Sequence, residues 1–447
     1  MKIAGEISVL SPIRRLAAAA AAAAPLDSEA FLAHIARRLR RGRSGTAQFS
    51  VLCLRIDQVD AVAEALGPLW CEALLGSAAS RMAGCLGPHD RVATLGGGRF
   101  AVLLDEAAAP PAALAAASRI QRALGAPLLL GGHEVFATAS VGVGVAGAGT
   151  VNAAELMRDA AAAMAESARR GPGQCSVFEP AMHLHAVERL RLEGALRRAL
   201  ERREFELHYQ PIVSTRTGAV TAFEALMRWR HPERGLLPPS AFLAAAEASG
   251  VLVPAGRWVL AQACRQAREW GERHPGAAGI AVGVNLSARQ LRHPGVVADV
   301  EDALAGAGLA ANRLHLEITE SAIMESGEAA VETLCRLKAL GVMLCVDDFG
   351  VGYSSLSYLH RFPVDVLKID RSFIAGLGKV GACGDIVRAV VGLAHGLGMH
   401  VVPEGVETSG HLAEVRAMEC DFAQGYFFSR ALPADEAGAL LAAGTRW

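Results

Sequence analysis

No stretch of this 447-residue sequence approaches the roughly 20 apolar residues that a membrane-spanning helix needs. An excess of charge is missing too: 44 Lys+Arg stand against 45 Asp+Glu, a formal net charge of -1. That balance excludes nucleic-acid binding through bulk charge, although a few local groups would still hold a small phosphate ligand. The nine cysteines form no CxxC pair, and the closest two, Cys335 and Cys345, are ten apart. An odd count without framework spacing reads as reduced thiols in a cytoplasmic protein. Among 14 histidines there is no HxxxH zinc pair, and no GxSxG nucleophile elbow occurs. Arg14-Arg15-Leu16 and the eight alanines at 17–24 mimic a secretory signal. Alanine is weakly hydrophobic and no Leu/Val core follows, so residues 1–25 are expected to be an alanine-rich tail. What is present is 52% apolar and 20% charged residues, enough for sizeable cores, in a length that suits two or three domains.

From residue 26 to about 180 the pattern is mixed α/β. Phe31, Ile35 and Leu39 recur four apart behind Asp27-Ser28, predicting a capped helix. Residues 49–56 and 136–145 read as strands. The runs 91–95 and 100–104 flank Gly96-Gly97-Gly98-Arg99, a hairpin with a glycine turn. A helix is expected over 153–170. Leucines at 184, 190, 192, 196 and 200 then mark a helical connector over 181–205. From 206 to 447 strands are expected at 206–213, 220–229, 279–287, 314–321, 342–349, 366–370, 399–407 and 422–428. Helices are expected at 240–270, 297–306, 328–340 and 384–397. Eight strands with intervening helices predict a closed (β/α)8 TIM-like barrel. Only six residues, 214–219, join the first two strands, too few for a parallel crossover, so that pair should be antiparallel.

Polar residues interrupt these strands or end them: Gln210, Glu224 and Arg228, Asn285, Glu317 and Glu320, Asp347-Asp348, Lys368 and Asp370, Glu404 and Glu407, and Gln424. In a barrel the C-terminal strand ends converge on one mouth. A lone strand-end carboxylate is usually a turn or cap residue, and a lone arginine a salt-bridge partner. Joint placement at successive strand ends is what points to a site. Clustered carboxylates are costly unless cations bind them, and oxygen-only donors suit Mg²⁺ or Mn²⁺. Two adjacent aspartates would bridge two ions, as in two-metal phosphoryl hydrolysis. A lysine in the same mouth would hold the attacking water or take its proton, and Arg228 offers a fork that matches a phosphate. A phosphodiester is the substrate class these groups fit.

The motifs FEALMRWRHP at 223–232, YQPI at 209–212, NLS at 285–287, EITES at 317–321, DDFGVGYSSL at 347–356, KID at 368–370, EGVE at 404–407 and QGYFFS at 424–429 resemble the EAL-domain phosphodiesterases. The resemblance implies a barrel that hydrolyses cyclic di-GMP to linear pGpG. It implies that Glu224, Asn285, Glu317 and Asp347 hold one metal, and that Asp347, Asp348 and Glu404 hold or adjoin the second. Lys368 would act on the water. Gln210, Arg228 and Gln424 would orient water or ligand, and Asp370 would join the substrate-binding set. Glu320 would anchor the loop after Asp348 and so belong to the catalytic machinery. Val351 stands where the family usually has Thr, which removes a hydroxyl from that loop. A homodimer through the barrel is the family habit. The alternative is a barrel that binds cyclic di-GMP without cleaving it; such barrels lose metal ligands or the lysine, and neither loss occurs here.

Residues 26–178 resemble the GGDEF domain of diguanylate cyclases through SVLCLRID, RVATLGGGRFAVLL and SVGVGVAG. The catalytic acids that the resemblance implies are missing. The signature acids fall on Gly98 and Arg99, the first metal aspartate on Arg55, and the guanine-reading asparagine on Ala63. Gly87 replaces the arginine of the inhibitory RxxD site and leaves only Asp90. A cation in place of a metal ligand repels the metal, so no cyclase activity is expected. This half is expected to be a folding or dimerisation partner. GTP binding, as an allosteric sensor, is the lesser expectation.

Overall fold

The computed structural model describes residues 25–447 apart from 43–48, 106, 108, 131, 148–149, 151, 275, 277–278, 351–361 and 378–382. The alanine run and Val351 therefore lie outside the described residues. The chain divides into two compact units, Met1–Arg189 and Leu190–Trp447.

The first unit contains, in chain order, α1 (Ser28–Gly42), β1 (Ser50–Ile56), α2 (Val59–Leu66), α3 (Pro68–Gly84), β2 (Arg91–Gly96), β3 (Arg99–Leu104), α4 (Pro110–Leu124), β4 (Leu128–Leu130), β5 (His133–Val135), β6 (Ala139–Val145), α5 (Ala153–Arg169) and β7 (Cys175–Val177). Its five-stranded sheet has the order β2-β3-β1-β6-β7, with only the β6–β7 pair parallel. Both faces are covered, since the alternate residues of β1 feed two separate apolar clusters. The β2–β3 turn is made by Gly96, Gly97 and Gly98, all at positive φ, where a side chain would be strained. The strand expected over 136–145 begins only at Ala139.

The connector is α6 (Ala181–Glu201), which spans the division between the units. The second unit continues with β8 (Phe205–Ser214), β9 (Val220–His231), β10 (Gly235–Leu237), α7 (Leu243–Ser249), α8 (Leu252–Arg273), β11 (Ala281–Asn285), α9 (Ala288–Leu291), α10 (Val296–Ala307), β12 (Leu314–Thr319), α11 (Glu320–Ala339), β13 (Met343–Phe349), β14 (Val366–Ile369), α12 (Arg371–Ile374), α13 (Cys383–Gly396), β15 (His400–Pro403), α14 (Ser409–Ala417), β16 (Phe422–Gln424), β17 (Leu432–Pro433) and α15 (Ala434–Ala443). Strand order is β15-β14-β13-β12-β11-β9-β8-β16. Strand β8 runs antiparallel to both neighbours, and for the β8–β9 pair the short 214–219 connection requires it. The barrel is nearly closed: no ladder joins β15 to β16. Instead the Val406 amide donates to the Gln424 carbonyl (3.0 Å) and Val406 accepts from the Phe427 amide (2.9 Å).

Several boundaries differ from expectation for local reasons. Helix α11 starts at Glu320, not near 328, because the Thr319 side chain caps it by accepting from the Ala322 amide. The helix expected over 240–270 breaks at Gly250, which takes a left-handed conformation after α7. Strand β15 stops at Pro403, which offers no amide for a ladder. All nine cysteines are free. Among the described residues no helix is long and apolar enough to cross a membrane.

Asp421 ties the start of β15 to β16. Its carboxylate accepts from the Val401 amide (2.8 Å) and pairs with His395 (3.0 Å) and His400 (3.2 Å). Burial pushes this carboxyl up, but the three partners outweigh it and hold it below the usual carboxylate range. A depressed pKa gives stability that is present above the unfolded value and lost as pH falls through the folded one. Asp421→Ala is therefore expected to lower the melting temperature of the second unit by about 2–4 °C at neutral pH. In melts across pH, the gap between variant and parent should narrow as pH falls below the ordinary aspartate range. An unchanged gap there would sink the assignment.

Candidate active site

The side chains converge because strand register brings them level. Glu224 on β9 lies opposite Gly283 on β11, Asn285 opposite Glu317 on β12, and Thr319 opposite Asp347 on β13. On the antiparallel side, Gln210 of β8 faces Glu224. The centre is Lys368 of β14, a 1% exposed lysine. Its Nζ lies 2.6 Å from Glu404 Oε1, 2.7 Å from Glu317 Oε2, 3.5 Å from Asp347 Oδ1 and 3.6 Å from Glu224 Oε2. Asn285 Nδ2 donates to Glu224 Oε1 (2.7 Å), and Gln424 Nε2 donates to Glu224 Oε2 (2.6 Å) and Gln210 Oε1 (3.2 Å). Gln210 in turn donates to the Ser429 carbonyl (3.2 Å).

One ammonium does not neutralise this group. Burial would lower the Lys368 pKa, but the surrounding carboxylates hold it well above the ordinary value, so it stays charged. Glu224 is pushed up by burial and brought back below its usual range by Lys368, Gln424 and Asn285. Burial holds Glu317 well above the carboxylate range and pushes Glu404 up to about 8. Asp348 is raised by burial and by Asp347.

This donor set fits divalent cations. Ligand oxygens of Asp347, Asp348 and Glu404 all lie within 4.8 Å of one another. Every donor in the group is oxygen apart from the lysine, which selects hard ions. Gln424 Oε1 is buried with no hydrogen-bond partner among the described residues, an acceptor suited to a water at the same place. Asp348 adopts φ 53°, a left-handed conformation that sets it apart from the pleat of β13. Its amide donates to Asp347 Oδ1 (3.0 Å).

Three expected site residues stand apart from the cluster. Arg228 is half-buried and donates to the carbonyl of Met227 (3.0 Å), within the reach of the Glu224 and Tyr426 charges. Glu320 accepts from the Gly350 amide (3.3 Å), just beyond Asp348. Asp370 caps α12, accepting from the Ser372 amide (2.9 Å), and its charge raises Asp348. A residue that motif reading passed over is Gly283. A Cβ there would overlap the Glu317 carboxylate, so the glycine makes the space that Glu317 fills. A glycine inside the apolar run 281–284 was the available signal, since glycine in a strand often marks close approach.

The EAL domain profile matches residues 193–431, more than half of the chain. The chain belongs to the EAL domain family. Before that unit, the profile "Diguanylate cyclase, GGDEF domain" matches residues 27–174. The chain is 40% identical over 389 residues (87% of it, 56% of the relative) to the bifunctional diguanylate cyclase/cyclic di-GMP phosphodiesterase MucR of Pseudomonas aeruginosa. It is 38% identical over 406 residues (91% and 51%) to the cyclic di-GMP phosphodiesterase NbdA of the same organism. The chain thus spans about half the length of the curated relatives it matches. A solved structure described as PaMucR phosphodiesterase in a c-di-GMP complex is 44% identical, with a TM-score of 0.53, covering 55% of this chain and 99% of that one.

In the GGDEF unit, Arg55 and Arg99 are direct partners across β1 and β3, both exposed. Asp90 accepts from the amides of Gly87 and Asp105 (both 2.9 Å).

Proposed function

We propose that the EAL unit hydrolyses cyclic di-GMP to linear pGpG in a metal-dependent reaction. The observation that carries this reading is the oxygen-donor cluster around Lys368, whose four nearest carboxylates, Glu224, Glu317, Asp347 and Glu404, each come from a different barrel strand or strand end. The relatives named as cyclic di-GMP phosphodiesterases support the substrate. Glu224, Asn285, Glu317 and Asp347 would hold one ion, and Asp347, Asp348 and Glu404 a second, Mg²⁺ or Mn²⁺. Bound ions would supply charge neutralisation and a more acidic water. Lys368 would hold the attacking water or take its proton. Gln424, fixed by Glu224 and Gln210, offers its free Oε1 to the same water. Arg228 lies at the rim with a fork for a phosphate oxygen. Glu320 steadies the backbone beyond Asp348. Asp370 acts on the field at Asp348 while capping its helix.

Chromatography of pure protein incubated with cyclic di-GMP and Mg²⁺ or Mn²⁺ tests this. Production of pGpG that EDTA abolishes and that Glu224→Ala lowers by at least about 10³-fold is the expected result. Tight cyclic di-GMP binding with no product would favour a receptor instead.

The GGDEF unit is proposed to lack cyclase activity, because Arg55 and Arg99 put two cations where metal-binding acids would be needed. GTP and Mg²⁺ or Mn²⁺ given to the Glu224→Ala variant, which cannot remove the product, should yield no cyclic di-GMP. Any accumulation would refute this.

A further inference from the structure

One cavity lies away from the acid cluster. It is a cleft of about 1030 Å³ on the outer side of the EAL barrel, between the end of α6, the start of β8, helix α8 and β17. Four arginines line it against two glutamates, Glu201 and Glu206. Two of the four are compensated: Arg230 is held by Glu206 and Arg257 by Asp299. Arg203 and Arg265 have no ion pair among the described residues; Arg265 bonds only the Gln262 amide oxygen (2.8 Å). Arg203 is set on the rim by a left-handed backbone (φ 57°) just after α6.

A second, independent feature is the hydroxyl of Tyr209. The residue is 1% exposed and its ring packs edge-on against Trp270 at 4.8 Å. Tyr209 lines the cleft together with Arg265. The hydroxyl makes no hydrogen bond among the described residues. Half-buried Trp258 supplies an aromatic wall to the same cleft. Surplus guanidinium charge, an unpaired hydroxyl and an indole in a cavity of ligand size form a built site.

We infer that this cleft binds an aromatic phosphate of mononucleotide size, with the phosphate on Arg265 and Arg203 and the ring against Trp258. The site is independent of the acid cluster and of the reaction proposed there.

Calorimetric titration of the full chain with adenosine 5′-monophosphate, in EDTA to silence metal-dependent binding, tests it. One nucleotide per chain should bind at or below about millimolar concentration, with adenosine and inorganic phosphate each at least about tenfold weaker. Arg265→Ala should weaken the nucleotide at least about tenfold, and Tyr209→Phe, which keeps the packing of the ring, about threefold or more. Thermal melts of both variants would report whether they fold. Absence of saturable binding overturns the inference. So does binding unchanged in both variants, binding lost in Glu224→Gln (which would assign it to the barrel mouth), or inorganic phosphate binding as tightly as the nucleotide.

Discussion

Lys368→Met is expected to abolish cyclic di-GMP hydrolysis, by about 10³-fold or more, and to destabilise the EAL unit by about 3–5 kcal/mol in EDTA. Both effects come from one geometry. The ammonium is within 3.6 Å of four carboxylates and is almost fully buried. Methionine fills a similar volume but leaves those carboxylates without a cation, and a buried charge stripped of its partner is far more costly than an exposed one. Added Mg²⁺ should restore part of the lost melting temperature, since divalent ions neutralise the same oxygens, but no turnover, since no donor remains to hold the water. Stability by denaturant titration and activity by product chromatography would be read side by side. Hydrolysis within tenfold of the parent would remove Lys368 from the mechanism.

Gly283→Ala is expected to lower hydrolysis by about 10²-fold with the fold retained. The added methyl group would occupy the position of the Glu317 carboxylate. Glu317 must then swing away from Lys368, and a displacement of about 1 Å at a reacting centre costs on the order of 10² in rate. Overpacking of this kind costs about 1–3 kcal/mol, which a unit of this size tolerates. Ala281→Gly, on the same strand face but further from the mouth, provides the control for strand flexibility. Full activity in Gly283→Ala would mean that Glu317 is not where the chemistry happens.

The barrel was legible because its evidence is local. A six-residue connection forbids a parallel crossover, so the reversed β8 follows from length alone. The strand-end carboxylates are separated by intervening helices, and only a closed or nearly closed sheet gathers them, so the fold class and the donor list stand together. Less legible were positions whose role depends on a neighbour. Nothing about Asp370 in isolation distinguishes a ligand contact from a helix cap; the Ser372 amide above it reveals the cap. Arg228 shares a strand face with Glu224, as even spacing requires, yet its guanidinium bonds to the carbonyl of Met227. Strand ends were overestimated at 399–407 and 422–428, where the chain turns to make the Val406–Gln424 closure instead of extending a ladder.

Residue order by itself determined which chemistry was available: oxygen donors and a lysine at successive strand ends, no HxxxH or CxxC zinc spacing, and two arginines in the GGDEF unit at positions where the family resemblance places acids. Those are properties of side-chain identity and spacing, which short-range physics reads directly. Only the tertiary structure decided how the donors share one cation, because burial and distance together set which carboxylate yields and which stays charged. The same holds for the arginine-lined cleft, whose members come from segments far apart in the chain, from Leu200 to Ala434, and meet only when the barrel has wound around itself.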